Sequence, residues 1–219
     1  MLKLLKKLDI GVQYNTEQTC CGQIAFNSGE WDVAQKLALK FLNDFHPDKL
    51  IVSPSASCSA YLRNYYSKLF KKESDGYQAF QKIGPNIIEL SDFLVNHLHT
   101  TDFGAYFPHT VTYHDSCSGL REYHLKNEGR ILLNQVKGLK LIEMDETHEC
   151  CGFGGTFAVK HKYISQAMVE QKVEHAIATN ADFITSTEVS CLMNIDAYVK
   201  KQKLPLKAVH FSDILVSGW

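Results

Sequence analysis

The chain carries the tripeptide Cys-Cys-Gly twice, at positions 20–22 and 150–152. A Ser-Cys pair follows each copy at a similar distance, at 57–58 and at 190–191. The chain has seven cysteines, and only Cys117, which precedes the second copy, lies outside these matched sets. A pattern repeated in this way predicts two related halves, each built around a metal-binding or redox site.

The predicted secondary structure has the same order after both copies: a helix, a short apolar strand, the Ser-Cys pair and another helix. The helices are predicted at 31–45, 59–70, 163–179 and from 190 on, and the strands at 50–53, 111–114, 139–144, 182–186 and 208–211. This alternation predicts an α/β fold with mostly parallel sheets, formed by two halves related by a pseudo-twofold duplication. The polar stretch 70–85 is predicted to be irregular. The weak pattern at 100–108 places the boundary between halves 1–104 and 105–219.

Composition and charge narrow the class of protein. The hydrophobic fraction is 45% and the charged fraction 21%, as in folded soluble proteins. A net charge of −1 without a basic stripe argues against a nucleic-acid partner. No apolar run approaches the roughly 20 residues that cross a bilayer, and lysines interrupt the apolar N-terminus, which indicates an amphipathic helix. We therefore expect a cytoplasmic protein, whose reduced thiols favour metal or redox chemistry over disulfides.

The cysteines of the second half form the stronger candidate site. Four thiols suffice for an iron–sulfur cluster or for tetrahedral zinc, and the half supplies Cys117, Cys150, Cys151 and Cys191. Adjacent cysteines bind a single ion poorly because successive side chains point apart, whereas two irons of a cluster accommodate both. This favours iron–sulfur, with zinc, a metal-free thiol switch and apolar filling as the open alternatives.

The first half supplies fewer thiols, namely Cys20, Cys21 and Cys58. A cluster held by three thiolates is labile, so we expect this site to hold metal weakly or not at all. In the second half, His114 is a candidate ligand, hydrogen-bond donor to a sulfur or proton carrier, and Arg121 a candidate for offsetting the charge of a cluster. The alternatives are a structural histidine and a surface arginine. No catalytic residue and no dinucleotide-binding motif are predicted.

The motifs resemble those of the cysteine-rich Cys-Cys-Gly-domain iron–sulfur proteins over nearly the whole chain. The segments that carry the resemblance are 18–23, 53–58, 112–117, 149–157 and 190–195. Relatives by domain include the iron–sulfur component of glycolate oxidase and the cysteine-rich component of heterodisulfide reductase. In the latter each set ends in Cys-x-x-Cys, whereas this chain has Ser55 and Glu188 in place of the first of those cysteines. This departure argues against a five-cysteine cluster and is compatible with a four-cysteine cluster in the second half.

The resemblance implies an iron–sulfur electron-transfer subunit of a complex that oxidises L-lactate, a 2-hydroxy acid, to pyruvate. It implies a 4Fe–4S cluster in the second half and two partners, a ferredoxin-like iron–sulfur protein and a third subunit, through which the protein associates with the inner membrane. The family begins with an upstream strand bearing a Pro-Cys element, so we expect this chain to be N-terminally truncated. The alternative function is a zinc-bound or metal-free structural subunit of the same assembly.

Overall fold

Two parallel β-sheets organise the computed structural model, which describes all residues, Met1–Trp219. The smaller sheet pairs β1 (Ile51–Ser53) with β2 (Ile87–Glu89). The larger sheet has the strand order β4-β3-β5-β6, and its strands are β3 (Thr110–Tyr113), β4 (Lys140–Leu141), β5 (Phe183–Ser186) and β6 (Lys207–His210). Every strand pair is parallel, which confirms the predicted α/β class.

Helices connect these strands and cover the sheets. In chain order they are α1 (Leu2–Lys7), α2 (Gln23–Asn27), α3 (Trp31–Asp44), α4 (Ala56–Tyr65), α5 (Asp75–Ile83), α6 (Leu90–Asp92), α7 (Glu128–Leu133), α8 (Phe157–Lys160), α9 (Lys162–Ala178), α10 (Val189–Gln202) and α11 (Phe211–Ile214). Short 3₁₀ segments lie at Tyr66–Leu69 and Gly84–Asn86, and π-helical turns at Phe93–His97 and Gly119–Tyr123. None of these helices combines the length and the apolar composition that crossing a membrane requires.

Three of the predicted segments differ in the structure. The helix predicted from residue 59 begins at Ala56, because the Ser55 hydroxyl accepts a hydrogen bond from the Cys58 backbone N–H and caps it. The strand predicted at 139–144 is reduced to β4. The stretch 70–85, predicted to be irregular, contains α5, which Ser74 caps in the same way and which buries Phe80.

The largest apolar cluster joins the two predicted halves. It packs Leu4 of α1 and Leu94 against Val111 of β3, Leu132 of α7 and Phe211 of α11. The predicted amphipathic N-terminal helix is confirmed, since Leu4 and Leu5 are buried. Residues on both sides of the predicted boundary therefore share one core, and two smaller clusters lie around α3 and around α9 and α10.

The centre of the larger sheet provides a place for a site. Strands β3 and β5 are neighbours, and the chain goes from β3 outward to β4 on one side and from β5 to β6 on the other. Loops that leave the carboxyl ends of two such strands diverge and open a crevice, the usual position of sites in open parallel sheets. Cys117 follows β3 and Cys191 follows β5.

Candidate metal centre

The structure brings the four thiols of the second half together. Cys117 comes from the loop after β3, Cys150 and Cys151 from the loop before α8, and Cys191 from the first turn of α10. Interactions between thiols link Cys117 to Cys150, Cys150 to Cys151, and Cys151 to Cys191. Cys151 and Cys191 are buried, and the other two are partly exposed. Residues far apart in sequence thus meet at the carboxyl edge of the larger sheet.

A tight turn at Gly152 orients the side chains of Cys150 and Cys151. Gly152 has φ +80°, and a Cβ there would lie 2.6 Å from the Ser165 carbonyl oxygen of α9, so both backbone conformation and packing require glycine. Its N–H donates to the Cys150 sulfur at 3.4 Å. The Asn194 side chain of α10 donates to the Cys151 carbonyl at 2.8 Å. Helices α9 and α10 therefore hold the turn.

The first Cys-Cys-Gly motif has the same local geometry. Gly22 has φ +92°, and its N–H donates to the Cys20 sulfur at 3.5 Å. The Tyr66 hydroxyl donates to the Cys21 carbonyl at 2.7 Å. The Cys21 and Cys58 sulfurs are 3.3 Å apart. The three predicted residues of this half thus lie together, although Cys20 is exposed.

Without a bound metal, the electrostatics of the second-half site favour protonated thiols. The interaction with the Cys150 thiol, together with burial, raises the pKa of Cys117 above its usual range. The interaction with Cys150 lowers the pKa of Cys151, but the interaction with Cys191 and burial outweigh it, and the pKa ends above its usual range. Metal binding needs thiolates, so a bound metal must supply the positive charge that favours deprotonation.

His114 lies at the same site with unsatisfied ring nitrogens. The residue follows β3, its side chain is fully buried, and neither Nδ1 nor Nε2 has a hydrogen-bond partner. A ring nitrogen and the sulfurs of Cys151 and Cys191 all lie within 4.8 Å of one another. Burial, with Lys172 nearby, lowers the pKa of His114 to about 3. The imidazole is therefore neutral and able to offer a lone pair.

The cation near the thiols is one that the sequence analysis missed. The Arg121 side chain is exposed and takes part in none of the side-chain hydrogen bonds or ion pairs of the structure. Lys172 of α9 is instead buried, donates to the Glu146 carbonyl, and interacts electrostatically with Cys150 and Cys151. Its position on the buried face of α9, beside Val169 and Val173, is the signal in the sequence.

Ion pairs of Arg130 hold the loop after β3. Arg130 of α7 donates to both oxygens of Asp115 at 2.8 Å and also binds Glu143 at 2.7 and 2.9 Å. Burial acts to raise the pKa of Asp115, but the hydrogen bonds and charge of Arg130 outweigh it, so the pKa lies below its ordinary value. Asp115 separates His114 from Ser116 and Cys117, so this pair fixes the segment that presents both candidate donors.

Ser55 and Glu188 meet each other where the two cysteine-bearing helices begin. The buried Glu188 carboxylate accepts hydrogen bonds from the Ser55 hydroxyl at 3.1 and 3.3 Å and from the Ser57 N–H at 2.7 Å. It also accepts from the Ser190 N–H at 3.2 Å and the Ser190 hydroxyl at 2.8 Å. One carboxylate thus joins the N-termini of α4 and α10, which carry Cys58 and Cys191.

The segments that carry these cysteines match a known protein family. The family model described as the cysteine-rich domain, CCG, matches residues 1–63 and 111–196. These two ranges contain all seven cysteines. The chain belongs to the CCG cysteine-rich domain family. The resemblance predicted from the motifs is therefore confirmed.

Three relatives match the chain over all or nearly all of its length. It is 34% identical to lactate utilization protein A 2 of Bacillus cereus (strain AH820) over 218 residues, which is 100% of the chain and 90% of that relative. Lactate utilization protein A 1 of Bacillus anthracis (strain CDC 684 / NRRL 3495) shares the same identity and coverage. Lactate utilization protein A of Geobacillus thermodenitrificans (strain NG80-2) is 36% identical over 214 residues.

The residues of this CCG-family site fit a metal or an iron–sulfur group. Thiolates and a neutral imidazole are soft or borderline donors that suit iron–sulfur clusters and zinc. The orphaned nitrogens of buried His114 and the closely spaced thiols of Cys151 and Cys191 are the features that a bound metal would satisfy. In the first half, the three thiols Cys20, Cys21 and Cys58 form a smaller donor set without a buried imidazole.

Proposed function

We propose that this protein is an iron–sulfur subunit that passes electrons during the oxidation of L-lactate to pyruvate. The observation that carries the proposal is the convergence of four thiols, Cys117, Cys150, Cys151 and Cys191, at the central crevice of the larger sheet. The full-length similarity to lactate utilization proteins A supports the choice of substrate.

The spread of the donors supports a cluster, which we take to be of the 4Fe–4S type. Cys151 and Cys191 form a close group of donors with His114, and the thiols of Cys117 and Cys150 interact electrostatically with Cys191, so five donor residues surround the site. A cluster offers several irons to such an extended set, with one thiolate on each. Buried Lys172 offsets part of the negative charge that four thiolates and a cluster would bring.

The proposed role requires partners. The chain shows no dinucleotide-binding motif, so the two-electron oxidation of the hydroxy acid itself belongs to another subunit. We infer a complex with a ferredoxin-like iron–sulfur protein and a third subunit, located in the cytoplasm and touching the inner membrane only through these partners. The crevice after β3 and β5 is where electrons would enter or leave.

Growth on lactate tests the proposal. A bacterial strain that lacks its own copy of the gene is complemented with the wild-type chain, with Cys151→Ser or with Cys20→Ser. We expect Cys151→Ser to behave like the deletion while the purified variant keeps its circular dichroism spectrum, because serine oxygen is a poor ligand for such clusters. Cys20→Ser should retain growth. A cysteine that only fills space would tolerate serine at a cost of about 1–3 kcal/mol, so normal growth with Cys151→Ser contradicts the proposal.

One observation favours a second function, a zinc-stabilised structural subunit of the same assembly. The donors of His114, Cys151 and Cys191 lie within 4.8 Å of one another, which suits a single tetrahedral ion. Colour separates the two functions: anaerobically purified protein is brown with a cluster and colourless with stoichiometric zinc.

A further inference from the structure

His114 occupies a position where an imidazole without a partner is costly. Its backbone N–H donates to the Thr185 carbonyl at 2.8 Å, which ties the residue to β5 at the carboxyl edge of the sheet. The side chain is 0% exposed, and both ring nitrogens lack hydrogen-bond partners. Buried polar groups are nearly always satisfied. The backbone of Thr147 lies close enough to influence the pKa of His114, but neither ring nitrogen forms a hydrogen bond of normal geometry with it.

The surroundings of the ring indicate what its missing partner is. A ring nitrogen lies within 4.8 Å of the Cys151 and Cys191 sulfurs, yet forms a hydrogen bond with neither. Two sulfurs and a nitrogen at such separations can surround a single zinc ion, with bonds of about 2.3 Å to sulfur and about 2.0–2.1 Å to nitrogen, or can each reach a different iron of a cluster. Each of the three donors is buried, so water does not compete for the position.

Two other histidines near the site show that the unsatisfied ring of His114 is exceptional. His210 ends β6 in an equivalent place on the sheet edge, but its ring nitrogens contact Ser212 and the Pro54 carbonyl at 2.8 and 3.1 Å. His148 lies two residues before Cys150, but its ring faces Glu146 at 3.3 Å and is 57% exposed. Only His114 combines burial, unsatisfied nitrogens and close sulfurs.

The geometry points to His114 as a nitrogen ligand of the second-half centre, bound beside Cys151 and Cys191. The centre would then have mixed sulfur and nitrogen ligation instead of four thiolates alone. Replacing thiolate by imidazole raises the reduction potential of iron–sulfur centres. The inference rests on the proposed function only in requiring that these thiols hold metal, and it applies to iron and to zinc alike.

Pulsed electron paramagnetic resonance tests the inference on the full chain. Protein labelled with ¹⁵N-histidine is reconstituted anaerobically with iron and sulfide and reduced, and the nitrogen hyperfine coupling is measured. We expect the strong coupling of a directly bound histidine nitrogen. It should vanish in His114→Gln and persist in the control His148→Gln. His114→Cys should keep the metal and lose the nitrogen signal. If His114→Gln does not fold, the presence or absence of the histidine coupling in the wild-type spectrum decides the ligand assignment.

Affinity gives a second readout. Loss of a residue that only supports a ligand lowers metal affinity by about 10–100-fold, so loss of a direct ligand in His114→Gln should lower it by more than about 100-fold. If the protein takes up only zinc, X-ray absorption at the zinc edge replaces the resonance measurement.

The possible results separate the two claims. Iron and sulfide bound without a coupled histidine nitrogen would overturn the ligand assignment and leave the iron–sulfur function standing. Zinc bound by nitrogen and sulfur, with no iron taken up, would overturn the iron–sulfur function and support the ligand assignment. A chain that binds neither metal would overturn both.

Discussion

Replacing Glu188 with glutamine should destabilise the protein strongly although the two side chains have the same shape. One carboxylate oxygen accepts from the Ser57 N–H at 2.7 Å and the other from the Ser190 N–H at 3.2 Å. Whichever way the glutamine amide is oriented, its NH₂ group faces a backbone N–H. The variant therefore loses at least one charged hydrogen bond and leaves a buried donor unsatisfied.

The expected cost follows from these two losses. A hydrogen bond to a charged group contributes about 1.5–3 kcal/mol and an unsatisfied buried donor costs about 1–3 kcal/mol, so we expect at least about 2.5 kcal/mol. With a urea m-value of about 2 kcal/mol/M, the unfolding midpoint should fall by at least about 1.2 M. The measurement is urea unfolding of the metal-free protein, kept reduced in the presence of a chelator.

A matched variant provides the control for this experiment. Glu174 lies exposed on α9, and Glu174→Gln should change the free energy of unfolding by less than about 0.5 kcal/mol. Ser55→Ala removes one hydroxyl from the network and should fall between the two. If Glu188→Gln is no less stable than Glu174→Gln, the carboxylate does not join α4 to α10 as described.

Three further predictions concern other buried groups. Burial raises the pKa of Glu89 to about 8 from its ordinary 4.5. The folded state therefore holds the proton more tightly than the unfolded state, and the free energy of unfolding falls as pH rises through this interval, by at most about 1.4 kcal/mol per pH unit. Glu89→Gln should abolish this fall in urea unfolding measured from pH 5 to 8.5, and an unchanged pH dependence in the variant contradicts the assignment. Gly152→Ala should lower the free energy of unfolding by about 1–2 kcal/mol through left-handed backbone strain, and further through a clash of the new Cβ with the Ser165 carbonyl oxygen 2.6 Å away. Gly22→Ala should destabilise the protein less, because the nearest atom to its new Cβ is 3.3 Å away. Equal loss of stability of the two variants in thermal unfolding would refute the packing argument. Lys172→Gln should lower the midpoint potential of a reconstituted centre by on the order of tens of mV, because one positive charge is lost from a partly screened site. Lys172→Arg keeps the charge and should preserve the potential.

The local pattern of the sequence is enough to predict the elements that have a strong period of their own. Helices α3 and α9 and strands β1 and β5 lie within a few residues of their predicted positions. The cysteine sets were also predictable, because the repeated Cys-Cys-Gly motif is visible without any structure. Helix α5 was missed because its polar flanks hide a short apolar face that only tertiary packing reveals.

Contacts between distant segments were beyond prediction from local pattern. The cluster that packs Leu4 against Phe211 depends on which faces meet, and no periodicity encodes that. Glu188 looked only like a replaced ligand position, whereas in the structure it bridges two helices. Lys172 replaces Arg121 as the cation near the thiols because α9, and not the turn after Cys117, packs over the site.

Iron and acid-labile sulfide per chain, measured after anaerobic reconstitution, test the central claim most directly. The comparison uses the wild-type protein, Cys151→Ser from the second half and Cys20→Ser from the first. We predict that the wild type binds both iron and sulfide, that Cys151→Ser loses most of both, and that Cys20→Ser retains them. Stoichiometric zinc without sulfide in the wild type, or equal iron and sulfide in all three proteins, would contradict an iron–sulfur cluster held by the thiols of the second half.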